Sequence, residues 1–200
     1  MDNFELLATP IWVNLLIFVP ILLFFYWRKN KLAISRKTLL YTLIFGVAFG
    51  VIEASVVIYL RAATGLLPGY EGTIIDVWKQ ASIIYYNQEV LQQQLPMSLL
   101  AVELVREIAT MIMLAMVAFI AANKIRERVA IFLWTFAAWD IIYYAHLWLT
   151  VRWPQGLTTP DVLFLIPEPW FSQVWFPILV SLLMIATILF RKSPESKSSK

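Results

Sequence analysis

GVAFGVIEASVVIYL, residues 46–60, decides the fold. It is an apolar run of helix length with one carboxylic acid, Glu53, inside it. Two further runs repeat the pattern. LLAVELVREIATMIML, residues 99–114, carries Glu103, Arg106 and Glu107, and FLWTFAAWDIIYYAHLWL, residues 132–149, carries Asp140. A charge near a bilayer centre costs roughly 2.5–3.5 kcal/mol on insertion scales, so an ionisable residue there marks a functional site by default. Four acids at that depth stand against one base, Arg106. One guanidinium satisfies one or two carboxylates; the others need a proton, a metal ion, water or a partner cation.

Composition sets the class. The 200 residues are 60% hydrophobic, with a mean hydropathy of +0.73. Soluble domains run about 45–50% apolar. The excess lies in long uninterrupted runs, which is the mark of a polytopic membrane protein. The absence of cysteine excludes disulfides, thiolate metal sites and iron–sulfur ligation. A single histidine excludes a bis-histidine haem from this chain alone. The +3 charge comes mostly from residues flanking the apolar runs and gives no reason to expect nucleic acid as a partner. Asp2 and Glu5 precede the first run with no Lys or Arg, unlike a secretory leader, so the first helix is expected to be retained.

The pattern predicts an all-α bundle of five transmembrane helices, about Ala8–Trp27, Leu39–Leu60, Ser98–Ala122, Val129–Thr150 and Ser172–Phe190. Each is near the roughly 20 residues that cross about 30 Å of hydrocarbon. Residues 1–192 read as one transmembrane domain and 193–200 as a disordered cytoplasmic tail. Orientation follows Lys and Arg in the connections. Twelve (Arg28, Lys29, Lys31, Arg36, Lys37, Lys124, Arg126, Arg128, Arg191, Lys192, Lys197 and Lys200) fall on one side; Arg61, Lys79 and Arg152 fall on the other. The N-terminus is therefore expected outside and the C-terminus in the cytoplasm.

Two outer segments are long. In 62–97, Thr73 and Asp76 have capping-box spacing, and Trp78, Tyr85 and Tyr86 suit a helix lying on the outer leaflet. In RWPQGLTTPDVLFLIPEPWFSQ, Pro160 reads as a helix start, Val162–Ile166 is too short to span, and Pro167 and Pro169 break it. A short re-entrant or interfacial helix is expected there. No internal repeat or inverted symmetry is present.

The ionisable residues converge in depth. Glu103, Arg106 and Glu107 lie just below the outer end of span three, and Glu53 lies about 12 Å below the outer end of span two at 1.5 Å per residue. Asp140 is near mid-depth in span four, with Tyr143, Tyr144 and His146 above it. Glu103, Glu107 and Thr110 share a helix face, with Arg106 beside them. Glu53 continues the Gly46–Gly50 stripe, which lets helices approach closely and turns Glu53 into the bundle. Arg61, eight residues on, can cap the cluster.

These residues allow a plain reading and a functional one. Plainly, Arg106 with Glu103 and Glu107 is an ion pair that fixes packing, which leaves Glu53 and Asp140 without a base. Functionally, Glu53, Arg61, Glu103, Arg106, Glu107, Asp140, Tyr143, Tyr144 and Asp161 form a binding site for a cation, a proton or a small polar group, with catalysis open. A divalent metal (Mn, Fe, Mg or Ca) would take Glu53, Glu103, Glu107, Asp140 and His146. The Glu-x-x-His spacing of di-iron bundles is absent, and His146 points about 120° from Asp140 on an ideal helix. Trp139, Tyr143, Tyr144, Trp148, Trp153, Trp170 and Trp175 suit an outer belt and core, or a π-lined pocket for a lipid or isoprenoid. The alternative to a binding protein is a non-catalytic accessory subunit of a larger membrane complex, partnered by other membrane subunits as well as lipid. A transporter fits less well without a repeat.

EASVVIYLR (53–61), VREIAT (105–110), WDIIYY (139–144) and DVLFLIPEPW (161–170) resemble an uncharacterised group of bacterial multi-pass integral membrane proteins. The resemblance covers about the last three-quarters of the chain. It implies a bacterial inner (cytoplasmic) membrane and no activity. It also places Glu53, Arg61, Arg106, Glu107, Asp140, Tyr144 and Asp161 in one constellation, without His146.

Overall fold

The structure is a computed structural model that describes residues 4–63 and 97–190, with side chains for 4–59 and 100–190. A 3₁₀ stretch, Ile11–Ile17, runs into helix α1, Phe18–Lys29. Helix α2 is Arg36–Ala63, α3 is Met97–Ala121 and α4 is Ile125–Val151. A hairpin follows, β1 Pro160–Phe164 and β2 Trp170–Gln173, and then α5, Trp175–Leu189. The segment proposed as an outer interfacial helix lies outside the described residues from 64 to 96, and so does the tail, 193–200.

Four of these stretches are long and apolar enough to cross a membrane: Ile11–Lys29, Arg36–Tyr59, Leu100–Ala121 and Ile125–Val151. They fit a membrane-embedded protein. α5 is apolar but has 15 residues, about 22 Å at 1.5 Å per residue. The expected fifth span began at Ser172, but Ser172 and Gln173 belong to β2.

The expectation of an all-helical chain is therefore corrected at one place. The segment after Pro160 is not a re-entrant helix but a two-stranded antiparallel hairpin, with Pro160 opposite Gln173, Asp161 opposite Ser172 and Val162 opposite Phe171. Pro160 begins the strand rather than a helix, a position where its missing N–H costs no ladder bond. Val162 and Phe164 are strand formers. Pro167 and Pro169 cannot extend a helix and instead occupy the connection between the strands. A bulge at Leu163 shifts the register before Phe164 meets Trp170.

α4 is the central element and packs on α2, α5 and α3. Its N-terminal end is polar and its middle is buried on several sides, including Ile131, Thr135, Ala137, Ala138, Trp139 and Asp140. α2 runs parallel to it: Gly46 lies against Thr135 and Ala138, Gly50 against Trp139 and Ile142, and Ser55 against His146. Alternating spans require that parallel direction, because one helix separates them. The closeness comes from the glycines. A Cβ at Gly46 would stand 2.8 Å from the Thr135 carbonyl oxygen, and one at Gly50 2.7 Å from that of Trp139. The Trp134 indole donates to the Leu39 carbonyl at 3.0 Å and fixes the same interface nearer the basic end. A second core joins α1, α4 and α5 through Val13, Trp27, Leu133, Phe176, Val180 and Ile188. The Thr187 hydroxyl donates to the Pro20 carbonyl at 3.0 Å across it.

Candidate functional site: a carboxyl-lined cavity beneath the hairpin

The close α2–α4 contact carries Glu53 and Asp140 into the bundle, and α3 brings Glu103, Arg106 and Glu107 to meet them. Arg106 forms ion pairs with Glu53 across the helices and with Glu103 on its own helix, the latter at 2.6 Å from Nη2 to Oε2. Its Nε also donates to Glu103 Oε2 at 3.2 Å. The Thr110 hydroxyl donates to Glu53 Oε2 at 3.3 Å. The Glu53 side chain is only 7% exposed, so its charge depends on this pairing rather than on water.

This arrangement keeps one half of the plain reading and corrects the other. The pairing of Arg106 with Glu103 holds. The guanidinium also takes Glu53, which the plain reading leaves without a base, and Glu107 turns to a backbone donor. Both Glu107 oxygens accept the Leu165 backbone N–H, at 3.1 and 2.9 Å. That amide lies just past β1, where no ladder partner is available, so the carboxylate holds the hairpin end to α3.

A second tie comes from α4. The Tyr144 hydroxyl donates to Asp161 Oδ2 at 2.5 Å, and the Val162 N–H donates to Asp161 Oδ1 at 2.8 Å. An aromatic panel completes the seat. The ring centroids of Phe136 and Phe164 are 6.2 Å apart, and those of Phe164 and Trp170 are 5.1 Å apart. The far side of the hairpin pairs with the N-terminal segment, where Thr9 and Phe171 exchange two backbone hydrogen bonds at 2.8 and 2.7 Å. The hairpin is thus fastened at both edges, and it roofs a cavity of about 570 Å³.

Eight of the nine residues expected to bind line this one cavity: Glu53, Glu103, Arg106, Glu107, Asp140, Tyr143, Tyr144 and Asp161. Arg61 lies on the last turn of α2 with its side chain outside the described residues. His146 is not brought in. It faces α2, with Nε2 3.3 Å from Ser55 Oγ. Among the described residues no three His, Asp or Glu side chains stand together as a metal-binding group. The reason is local: Glu53 and Glu103 turn to Arg106, Glu107 turns to a backbone amide, and Asp140 turns to Ser181.

Ser181 is the neighbour of Asp140 that sequence reasoning missed. Its hydroxyl donates to Asp140 Oδ2 at 2.8 Å. The available signal was a hydroxyl, one of two with Thr187, within WFPILVSLLMIATIL, since a polar residue in an apolar helix needs a partner inside the bundle. Asp140 is 7% exposed, and among the described residues its Oδ1 accepts no hydrogen bond. The indole N–H groups of Trp139 and Trp170, two more residues of the cavity wall, are also buried without an acceptor.

Chemically, the cavity has two ends. Toward the hairpin it presents five carboxyl groups and one guanidinium already engaged by two of them. Deeper in the bundle it is apolar, walled by Leu16, Val19, Met111, Phe132 and Met184. No protein-family model, no curated protein and no solved structure matches the chain.

Proposed function

We propose that the chain is an integral membrane protein that holds a cation or a hydrogen-bond-donating polar group among the carboxyl groups beneath its hairpin. The observation that carries this is the shared cavity. Side chains from α2, α3, α4 and β1 line one space, and although Arg106, Glu53, Glu103, Glu107 and Asp161 also contact one another or the hairpin, a cavity remains among them. Its volume of about 570 Å³ falls within the roughly 300–1,000 Å³ of small-molecule sites. Five acids against one base favour a positive or donating ligand over an anion. Such a group would also give Asp140 Oδ1 a partner.

A lipid-soluble carbodiimide tests it, since this reagent modifies buried protonated carboxyl groups. Asp140 is expected to react in the membrane-reconstituted protein, and excess methylammonium is expected to slow the reaction severalfold. Unreactive cavity carboxyls, or a rate indifferent to methylammonium, would overturn the proposal. The second reading, an accessory membrane subunit with purely structural charges, is favoured by the double pairing of Arg106 with Glu53 and Glu103. It expects the unreactive result.

The same proposal places the protein in a bacterial inner membrane, crossing five times with α5 as the last span. The N-terminus is outside, the C-terminus is cytoplasmic and the cavity lies in the outer half. The twelve-to-three distribution of Lys and Arg supports this orientation. So does the position of Arg28 and Lys29 at the end of α1 and of Arg36 and Lys37 at the start of α2. A reporter active only in the cytoplasm, fused after Lys200, should be active. Activity of a reporter that needs export would reverse the topology.

A further inference from the structure

Among the described residues, the cavity is polar at one end, apolar along the rest, and reaches the apolar flank of the bundle. Three of its lining side chains are also surface residues: Val19 on α1 is 38% exposed, and Ile108 and Ile112 on α3 are 48% and 55% exposed. They therefore stand at the rim. Ile112 lies near the middle of α3, and Val19 lies inside the first apolar stretch, Ile11–Lys29. In a bilayer that rim meets acyl chains rather than water. α1 packs on α5, while α3 packs on α4 and α2. The two rim helices thus pack mainly on different neighbours, and residues of both line the same cavity.

A ligand entering by that route must carry an apolar body. What it meets at the far end is Asp140, 93% buried by the 7% exposure given above, with Ser181 on Oδ2 and nothing described on Oδ1. The other carboxyls at that end already accept from protein donors: Glu107 from Leu165 N–H, Asp161 from Tyr144 and Val162, and Glu53 from Thr110 and Arg106. A phosphate or carboxylate head would face five acids with the only lining base engaged. A hydroxyl or ammonium head would instead donate to Asp140 Oδ1.

Resting on the proposed function above, we propose that the ligand is a membrane-borne amphiphile: a single apolar chain bearing a hydroxyl or amine head. It enters between α1 and α3, donates to Asp140, and lies with its chain against Met111, Phe132 and Met184. Alcohol and amine share the required chemistry, and the experiment separates them.

The test is photo-crosslinking in nanodiscs. The probes are a long-chain 1-alkanol, an alkylamine and an alkyl phosphate, all of one length and each with a diazirine near the chain end. Alcohol or amine should label Met111, Phe132 or Met184, and the better of the two identifies the head. An excess of unlabelled alkanol should compete. Asp140→Leu should cut the cavity adducts about tenfold, the loss expected when one buried hydrogen bond is removed. Ile112→Trp, a change at the lipid-facing rim that leaves Asp140 untouched, should cut them as well. If the phosphate probe labels the cavity equally, the assignment of the head is overturned. If no probe labels it while methylammonium still slows carbodiimide attack, the amphiphile is overturned and the polar site stands. If both fail, both proposals fall.

Discussion

Arg106→Ala is expected to destabilise the detergent-solubilised protein by about 3–5 kcal/mol, the usual consequence of removing one member of a buried ion pair. The loss exceeds what the pair contributes, because Glu53 is left buried and charged with, among the described residues, the Thr110 hydroxyl as its remaining partner. Arg106→Lys should recover part of the loss. A guanidinium reaches Glu53 and Glu103 from different nitrogens at once, and an ammonium on a flexible stem does not reproduce that fork. The double variant Arg106→Ala with Glu53→Gln should recover more than the lysine, since it removes the stranded charge itself. Thermal unfolding of the three variants measures this. A double variant no more stable than Arg106→Ala would mean that Glu53 is not the partner that matters.

Gly50→Leu is expected to destabilise the protein strongly as well, for a steric reason. A Cβ at Gly50 would already stand 2.7 Å from the Trp139 carbonyl oxygen and 3.0 Å from the Ile142 Cβ. The first of these is backbone and cannot rotate away. Overpacking of a tight core commonly costs about 1–3 kcal/mol per site, and leucine adds three more carbons to the clash. α2 would have to separate from α4, taking Glu53 away from the level of Arg106 and opening the Ser55–His146 contact. The control is Gly156→Ala, since a Cβ there meets nothing within 4 Å. If Gly50→Leu unfolds at the same temperature as Gly156→Ala, the helices are not held at the distance described.

Most of the helical frame was legible because its signal is periodic and local. Glu53 could be turned inward from the Gly46–Gly50 stripe alone, since small residues mark the face on which another helix rests. The grouping of the acids followed from cost, because each would be disfavoured if it faced lipid by itself. The pairing of Arg106 with Glu103 was legible from their spacing, but the second partner of Arg106 was not. Whether Arg106 meets Glu107 one residue away or Glu53 on another helix depends on side-chain direction and helix rotation, which spacing does not determine. The choice of Leu165 N–H by Glu107 was out of reach for a further reason. A backbone amide carries no letter in the sequence, and this one needs an acceptor only because the segment is a hairpin. That hairpin was misread because proline is common both at helix starts and at strand starts, and Pro160 was weighed only as the former.

The pairing of Glu53 with Arg106 also has a consequence in time. A chain is made from its N-terminus, at roughly 5–20 residues per second. Glu53 is synthesised before Arg106, and α2 is complete before the first residue of α3 exists. Its packing mate α4 comes later still. In a membrane-inserted chain, α2 therefore reaches the bilayer with its acid unanswered and its glycine face uncovered. Until α3 arrives, that carboxyl has no guanidinium to meet. The bundle then closes around an acid whose partner was made more than fifty residues later.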